Sequence, residues 1–223
     1  MMSRMLSRGT AALVAAGGAR FAFQAARDPL HVVWDLDSTL ISSQLLPDAE
    51  RFASRDYFDQ FDDDFPPAAA GGPHNTRTFH RPWAALALGA LDVFAVQHVF
   101  TAAQASYTAN VLAELDPARA RFRRVLTRDD AWAGGENPRA KDLTHLVRED
   151  ELRRVVFFDD RLRNFAPQPR NGVLVKPFED PSRPDAEMLR LLAICALCTV
   201  ADDVRPVLRM FQSPAYRAKY QLE

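Results

Sequence analysis

Three short apolar runs constrain the fold of this chain most strongly. They cover His31–Trp34, Gln97–Phe100 and Val155–Phe158. Each run is rich in β-branched or aromatic side chains and is followed at once by a carboxylate or a hydroxyl. Short runs of this kind are typical of the buried strands of a parallel sheet. Helical patterns separate them, so the sequence predicts an α/β domain with helices on both faces of a parallel sheet.

The segments between the runs support this interpretation. Pro82 is suited to the first turn of a helix, because an N–H there has no partner within the helix. Apolar side chains follow it as far as Val93, and Thr108–Leu115 forms a second amphipathic stretch. Because crossovers between parallel strands are right-handed, the polar ends of the three runs meet at one edge of the sheet. We expect the functional site at that edge.

Two carboxylates separated by one residue, Asp35 and Asp37, follow the first run. In an extended segment, residues two apart point to the same face, so both carboxylates can begin on one side of a site. Two crowded acids repel each other without a cation, and Mg²⁺ prefers carboxylate, water and phosphate oxygens. The pair therefore predicts a magnesium site. The plainer alternative is a strand end followed by an Asp/Ser turn.

The segment Asp35–Leu40 resembles the D-x-D-x-T-L signature of the haloacid dehalogenase superfamily. In particular, it is similar to that of the small C-terminal-domain-type protein serine/threonine phosphatases, a branch that includes the mitochondrial inner-membrane translocase receptor. Segments similar to later motifs of this branch follow in the same order, at Arg81-Pro82-Trp83, Val99-Phe100-Thr101-Ala102-Ala103, Lys141-Asp142-Leu143 and Val155–Asp160. The resemblance implies a haloacid-dehalogenase-like (Rossmannoid) α/β fold with an insertion after the first strand.

The same resemblance implies a role for each residue of the site. Asp35 is at the position of the nucleophile, which forms an aspartyl phosphate, and Asp37 is at that of the general acid and base. Thr101 and Lys141 would hold the phosphoryl oxygens, the first by a hydrogen bond and the second by its charge. Mg²⁺ would be held by Asp35, by the backbone carbonyl of Asp37 and by Asp160.

Three further residues are candidates for the same site. Asp159 is either a further metal ligand or an acceptor beside the ligands. Thr39 lies within the first signature. Arg128 stands at about the place where relatives carry an arginine that faces the substrate. Plainer alternatives exist for several site residues: Thr101 as a helix cap, Lys141 as a solvated charge, and the adjacent acids as a turn.

Composition bounds the remaining functions. The chain has 223 residues, of which 48% are hydrophobic, and this suits one sizeable domain, which we place at residues 28–223. The formal net charge of −1 argues against direct nucleic-acid binding. Residues 42–80 are predicted to form an insertion or flap, either a lid, a docking surface or a solvated loop. Cys195 and Cys198 are interpreted as buried thiols in an apolar helix.

Residues 1–27 contain several arginines and no acidic residue, a composition typical of a mitochondrial transit peptide. We therefore expect a mitochondrial protein, in the matrix or associated with the inner membrane, without a transmembrane segment.

Residues 201–208 resemble a C-terminal segment of the translocase receptor. Two functions follow from these observations. The first is a magnesium-dependent phosphatase acting on a phosphoprotein. The alternative is a scaffold or receptor subunit of a mitochondrial assembly, such as a protein import translocase.

Overall fold

The structure is a computed structural model that describes residues 28–45, 76–131 and 140–222. The predicted transit peptide and the middle of the predicted insertion lie outside these ranges. The strands are β1 (Leu30–Trp34), β2 (Ile41–Leu45), β3 (Thr76–His80), β4 (Ala95–Phe100), β5 (Phe122–Leu126), β6 (Val155–Asp159) and β7 (Gly172–Leu174). The helices are α1 (Ala84–Leu91), α2 (Ala105–Leu115), α3 (Arg128–Ala131), α4 (Glu187–Thr199), α5 (Arg205–Arg209) and α6 (Pro214–Lys219). Short 3-10 helices cover Leu143–His145, Glu149–Arg154, Leu162–Phe165 and Pro169–Asn171.

Five strands form one parallel sheet in the order β5-β4-β1-β6-β7. The three apolar runs are its central strands β4, β1 and β6, whose residues are all buried. Gln97 and His98 are the polar residues of β4, and the Gln97 side chain is satisfied where it is buried, because it accepts from Trp34 Nε1 at 3.1 Å and donates to Leu88 O at 2.9 Å. The predicted parallel α/β sheet is therefore confirmed.

The remaining two strands, β2 and β3, pair antiparallel in a separate hairpin. They are the two ends of the insertion predicted after the first strand. Ile41 pairs with His80 at the base of the hairpin, and a bridge links Asp37 to Ile41. The hairpin therefore leaves the sheet directly beside the two carboxylates.

The sheet has an apolar core on each face. Val32 and Trp34 of β1 face the first core, which α1, α2, α4 and α5 cover. Val33 faces the second core, which is covered by the 3-10 helices and by Tyr216 of α6. Helix α6 packs closely there, because a Cβ at Gly172 would overlap both the Phe165 ring and the Tyr216 hydroxyl. Only glycine fits at that position.

Two histidines are buried together within the sheet. His31 of β1 and His98 of β4 stack with ring centroids 5.3 Å apart, and their Nδ1 and Nε2 atoms are 3.1 Å from each other. The other nitrogen of each ring is buried without a hydrogen-bond partner in the described part of the chain. Burial lowers the pKa of His31 to about 4 and that of His98 to about 3. Both imidazoles are therefore neutral near pH 7.

Two helices begin elsewhere than the sequence pattern indicates. Helix α1 begins at Ala84, two residues after Pro82, because Trp83 adopts a left-handed conformation with φ of 68°. Helix α2 begins at Ala105, three residues before Thr108.

Cys195 and Cys198 are buried thiols in α4, as interpreted from the sequence. Among the residues that the structure describes, every helix is too short or too polar to span a membrane.

Candidate active site

Polar residues collect at the carboxyl ends of the three central strands. Asp35 directly follows β1, Thr101 follows β4, and Asp159 and Asp160 lie at the end of β6. The Asp35 backbone N–H donates to Phe158 O at 3.0 Å, so Asp35 continues the pairing of β1 with β6. Because these strands are neighbours, the sheet brings residues from distant parts of the sequence to one edge.

Lys141 lies at the centre of this group and is 1% exposed. Its Nζ donates to Asp35 Oδ1 at 2.7 Å and to Asp159 Oδ2 at 2.7 Å. The Phe100 and Phe157 rings lie beneath it, with centroids 6.0 and 5.7 Å from Nζ. Burial alone would lower the pKa of Lys141, but the two carboxylates outweigh it and the pKa is raised. Lys141 is therefore a buried cation, and its interpretation as a solvated surface charge is wrong.

Burial is also the main influence on Asp35. It raises the pKa of the carboxyl well above its usual range, Lys141 opposes the shift, and Asp159 and Asp160 add to it. Three carboxylates thus lie at this edge with one ammonium group, which bonds directly to Asp35 and Asp159. A second cation at this edge would stabilise the ionised form of Asp35.

Asp159 makes a full set of hydrogen bonds. Besides Lys141, it accepts from Asn164 Nδ2 at 2.8 Å through each oxygen and from the Arg161 N–H at 2.8 Å. A carboxylate has about four acceptor sites, so these contacts occupy all of them. The geometry thus favours Asp159 as an acceptor that positions Lys141, which is the second of the two alternatives derived from the sequence.

Asp160 differs from its neighbour. Its Oδ1 is buried without a hydrogen-bond partner among the described residues, and burial together with Asp159 raises the pKa of Asp160 to about 6. One oxygen from each of Asp35, Asp159 and Asp160 lies within 4.8 Å of the others. A buried unpartnered carboxylate oxygen is costly unless a cation satisfies it. Asp159 is already saturated by its hydrogen bonds, so Asp35 and Asp160 are the carboxylates that fit Mg²⁺, an ion that prefers anionic oxygen ligands.

Asp37 lies on the turn that connects β1 to the hairpin. Its Oδ1 accepts from the Tyr107 hydroxyl of α2 at 2.7 Å. Burial raises the pKa of Asp37, while the hydrogen bond from Tyr107 and the charge of Lys141 oppose the shift. A carboxyl whose protonated form is favoured in this way is suited to act as a general acid.

Arg81 holds the turn that contains Asp37. The guanidinium is 1% exposed and donates to Thr39 O at 3.0 Å and to Lys176 O at 2.7 Å. It also forms a bidentate pair with Asp185 at 3.0 and 2.8 Å. Thr39 itself is fully buried, and its hydroxyl has no partner among the described residues.

The last two predicted residues lie on adjoining loops at the same edge. Thr101 is buried, and its Oγ1 accepts from the Ala103 N–H at 3.1 Å. Arg128 follows the end of β5, and its Nε donates to Ala102 O at 2.8 Å. Arg128 thus braces the loop that begins at Thr101. The structure brings every predicted site residue to the carboxyl edge of the sheet or to the loops that border it.

Comparison with known proteins agrees with this arrangement. Residues 30–205 match the family described as NLI interacting factor-like phosphatase. The chain belongs to this family. Membership confirms the resemblance to the small C-terminal-domain-type phosphatases of the haloacid dehalogenase superfamily. No curated protein sequence is significantly similar to the chain.

Two solved structures of the phosphatase Fcp1 have a similar fold. One is of Fcp1 as an essential RNA polymerase II CTD phosphatase, with 23% identity over 90% of this chain and a TM-score of 0.51. The other is of a fission yeast Fcp1 variant bound to beryllium fluoride, with 22% identity over 86% of this chain and a TM-score of 0.51. This chain spans just over half of each of them, 55% and 57%.

Within this NLI interacting factor-like domain, sequence reasoning assigned no site role to several residues. Arg81 occurs in a segment that resembles the family, and Tyr107 and Asn164 come shortly after such segments. Only the structure shows that these residues contact Thr39, Asp37 and Asp159, respectively. Ser43, whose hydroxyl lies 2.5 Å from that of Tyr107, gave no signal at all. Tyr107 gave a weak signal, because it comes six residues after Thr101 and so falls near the start of α2, the helix that follows the site.

Proposed function

We propose that the chain is a magnesium-dependent phosphatase that hydrolyses phosphoserine or phosphothreonine on a protein through an aspartyl phosphate on Asp35. The observation that carries the proposal is the buried bridge from Lys141 to Asp35 and Asp159, with an unpartnered oxygen of Asp160 beside it. An ion pair that served only to stabilise the surface would not need to be buried in this way. Charge gathered in this way is suited to phosphoryl transfer, which depends on positioning and electrostatic stabilisation.

The first chemical step belongs to Asp35 and Asp37. A carboxylate oxygen of Asp35 attacks phosphorus, and the bond from phosphorus to the seryl oxygen breaks. Asp37 gives its proton to that oxygen, so the serine leaves as a neutral hydroxyl. Lys141 and Thr101 hold the phosphoryl oxygens while this occurs.

The second step returns the enzyme to its starting state. Water attacks the aspartyl phosphate, Asp37 takes the proton from the water, and phosphate leaves from Asp35. Mg²⁺ held by Asp35, Asp160 and the backbone carbonyl of Asp37 would neutralise charge on the phosphoryl oxygens. Asp159 and Asn164 keep Lys141 in place in both steps.

The substrate class and the location are part of the proposal. The similar Fcp1 structures are of a CTD phosphatase, and this supports a phosphoprotein as substrate here. The arginine-rich, acid-free composition of residues 1–27 supports a mitochondrial location. A mitochondrial phosphoprotein is therefore the proposed substrate.

The test is hydrolysis of an aryl phosphate by the purified chain with Mg²⁺. We expect turnover that chelation abolishes and that Asp35→Asn reduces at least about a thousandfold. Asp202→Asn is the matched control, because this carboxylate is exposed and away from the site. Equal activity in wild type and Asp35→Asn would contradict the proposal.

A second function is favoured by one feature. Residues 201–208 resemble the translocase receptor, and within them Val204 docks through its N–H on Arg153 O at 2.8 Å. A scaffold or receptor subunit of a mitochondrial assembly would keep this fold without turnover. A folded wild-type chain that binds Mg²⁺ but hydrolyses neither aryl phosphates nor phosphopeptides would support this alternative.

A further inference from the structure

We propose that Tyr107 is a positioning residue that fixes which oxygen of Asp37 carries the catalytic proton, and that the β2–β3 hairpin orients Tyr107 for this purpose. The inference rests on the proposed role of Asp37 as general acid and base. It adds to the site a residue that the sequence did not indicate, and it specifies the direction of the hydrogen bonds that lead to Asp37.

The observation is a chain of three hydrogen bonds that leads from the hairpin to the acid. The Tyr107 hydroxyl donates to Asp37 Oδ1 at 2.7 Å. The Ser43 hydroxyl of β2 lies 2.5 Å from the Tyr107 hydroxyl and 3.3 Å from that of Thr78 on β3. These four side chains come from the β1 turn, helix α2 and both strands of the hairpin.

The donor of each bond follows from the number of protons available. A phenol has one hydroxyl proton, and Tyr107 donates it to Asp37. The bond between Tyr107 and Ser43 therefore has Ser43 as its donor. The Ser43 oxygen can then accept from Thr78, so all three hydroxyls point in one direction, toward Asp37.

This order determines the state of the Asp37 carboxyl. Oδ1 is an acceptor in the hydrogen bond from Tyr107, so a proton on the carboxyl resides on Oδ2. When the phosphorus–oxygen bond breaks, the proton passes from Oδ2 to the leaving oxygen. In the hydrolysis step the same oxygen receives the proton of water. Tyr107 thus keeps one oxygen for transfer and fixes the orientation of the carboxyl plane.

A second contact ties the hairpin to the helix that carries Tyr107. His80 Nε2 of β3 lies 3.2 Å from Glu114 Oε2 of α2. Ser43 and His80 thus connect the hairpin to the first and last turns of α2.

The test measures kcat/KM with Mg²⁺ for a series of aryl phosphates whose leaving groups become progressively more basic. A general acid matters most for the poorest leaving group. We expect Tyr107→Phe to lose about tenfold for the most basic leaving group and much less for nitrophenyl phosphate, which corresponds to one hydrogen bond. A plot of log kcat/KM against the pKa of the leaving group should therefore have a steeper slope for Tyr107→Phe than for wild type.

Further variants separate this role from a structural one. Ser43→Ala should steepen the dependence in the same sense, and Ser43→Thr, which keeps a hydroxyl, should restore the wild-type slope. Tyr216→Phe is the matched control, because it removes a phenol that donates at 2.8 Å to Pro169 O, away from Asp37. Its slope should equal that of wild type.

The outcomes are distinguishable. An equal loss across the series in Tyr107→Phe, or no loss, would overturn this inference and leave the phosphatase activity established. A wild-type chain without turnover on any ester would overturn the proposed function and this inference together. If Tyr107→Phe does not fold, the two Ser43 variants decide by the same comparison of slopes.

Discussion

The buried pair His31 and His98 makes the stability of this domain depend on pH in a predictable direction. Both have folded-state pKa values, about 4 and about 3, below the value of 6.5 for an exposed imidazole. As the pH falls below 6.5, the unfolded chain binds protons that the folded chain does not. The free energy of unfolding therefore decreases between pH 6.5 and the folded pKa values.

The size of the effect follows from the same shifts. One pKa unit corresponds to about 1.4 kcal/mol, and pH 5 lies about 1.5 units below the pKa of an exposed imidazole. Each histidine therefore contributes about 2 kcal/mol less to the free energy of unfolding at pH 5 than at pH 7. The pair loses about 4 kcal/mol, a large part of the total stability of about 5–15 kcal/mol typical of a domain. The loss should end near the lower of the two folded pKa values.

The perturbation is the double variant His31→Phe and His98→Phe. Phenylalanine keeps the stacked rings and removes both titrating groups. Urea unfolding at pH 7 and pH 5 gives the difference in unfolding free energy for each protein. We expect that difference to be about 4 kcal/mol larger in wild type, because the carboxyl groups titrate equally in both. Equal differences in wild type and the double variant would refute the reasoning.

Three further predictions concern the second core, the turn of the site and the metal. Gly172→Ala places a methyl group on the Phe165 ring and the Tyr216 hydroxyl, so urea unfolding should show a loss of about 2 kcal/mol; an unchanged midpoint would contradict this packing. Arg81→Met leaves the Asp185 carboxylate unpaired, and we expect urea unfolding to show a loss of about 3–5 kcal/mol. Asp185→Asn leaves the guanidinium, the more deeply buried of the two charges, without a counter-charge, so it should lose stability as well; an unchanged midpoint in that variant would argue against the ion pair as the cause. Mg²⁺ at about a hundred times its dissociation constant should stabilise wild type by about 2.7 kcal/mol in a thermal melt. Asp160→Asn should lose most of that stabilisation and Asp202→Asn none of it, whereas an equal response in all three would exclude Asp160 as a ligand.

The sequence predicted the central part of the fold and not its edges. Strands β1, β4 and β6 were predictable because both of their faces are buried, which requires continuous apolar runs. Strand β5 has Arg123 and Arg124 at its centre and was not predicted, because an edge strand needs no such run. Strand β7 has three residues, too few to produce a pattern.

The site was predictable to a similar extent. Asp35, Thr101 and the acids after β6 follow predicted strands, so topology alone brings them together. Lys141 belongs to no strand, and only the resemblance to a family indicated it. The hydrogen bonds from Tyr107 to Asp37 and between Ser43 and Tyr107 connect residues 70 and 64 positions apart. Contacts of that kind depend on how α2 packs against the hairpin, and no local pattern in the sequence records it.

Asp35 and Asp37 are only two residues apart, but they belong to parts of the molecule that differ in how firmly the backbone is held. Asp35 is joined through its backbone to the central strands, whose amides should exchange with solvent only when the whole domain unfolds. Asp37 lies on a turn that depends on Arg81 and on a hairpin outside the main sheet. The two groups can therefore change independently over evolution: substitutions in the hairpin can alter the surroundings of Asp37, the proposed acid, while Asp35, the proposed nucleophile, and Lys141 stay in place.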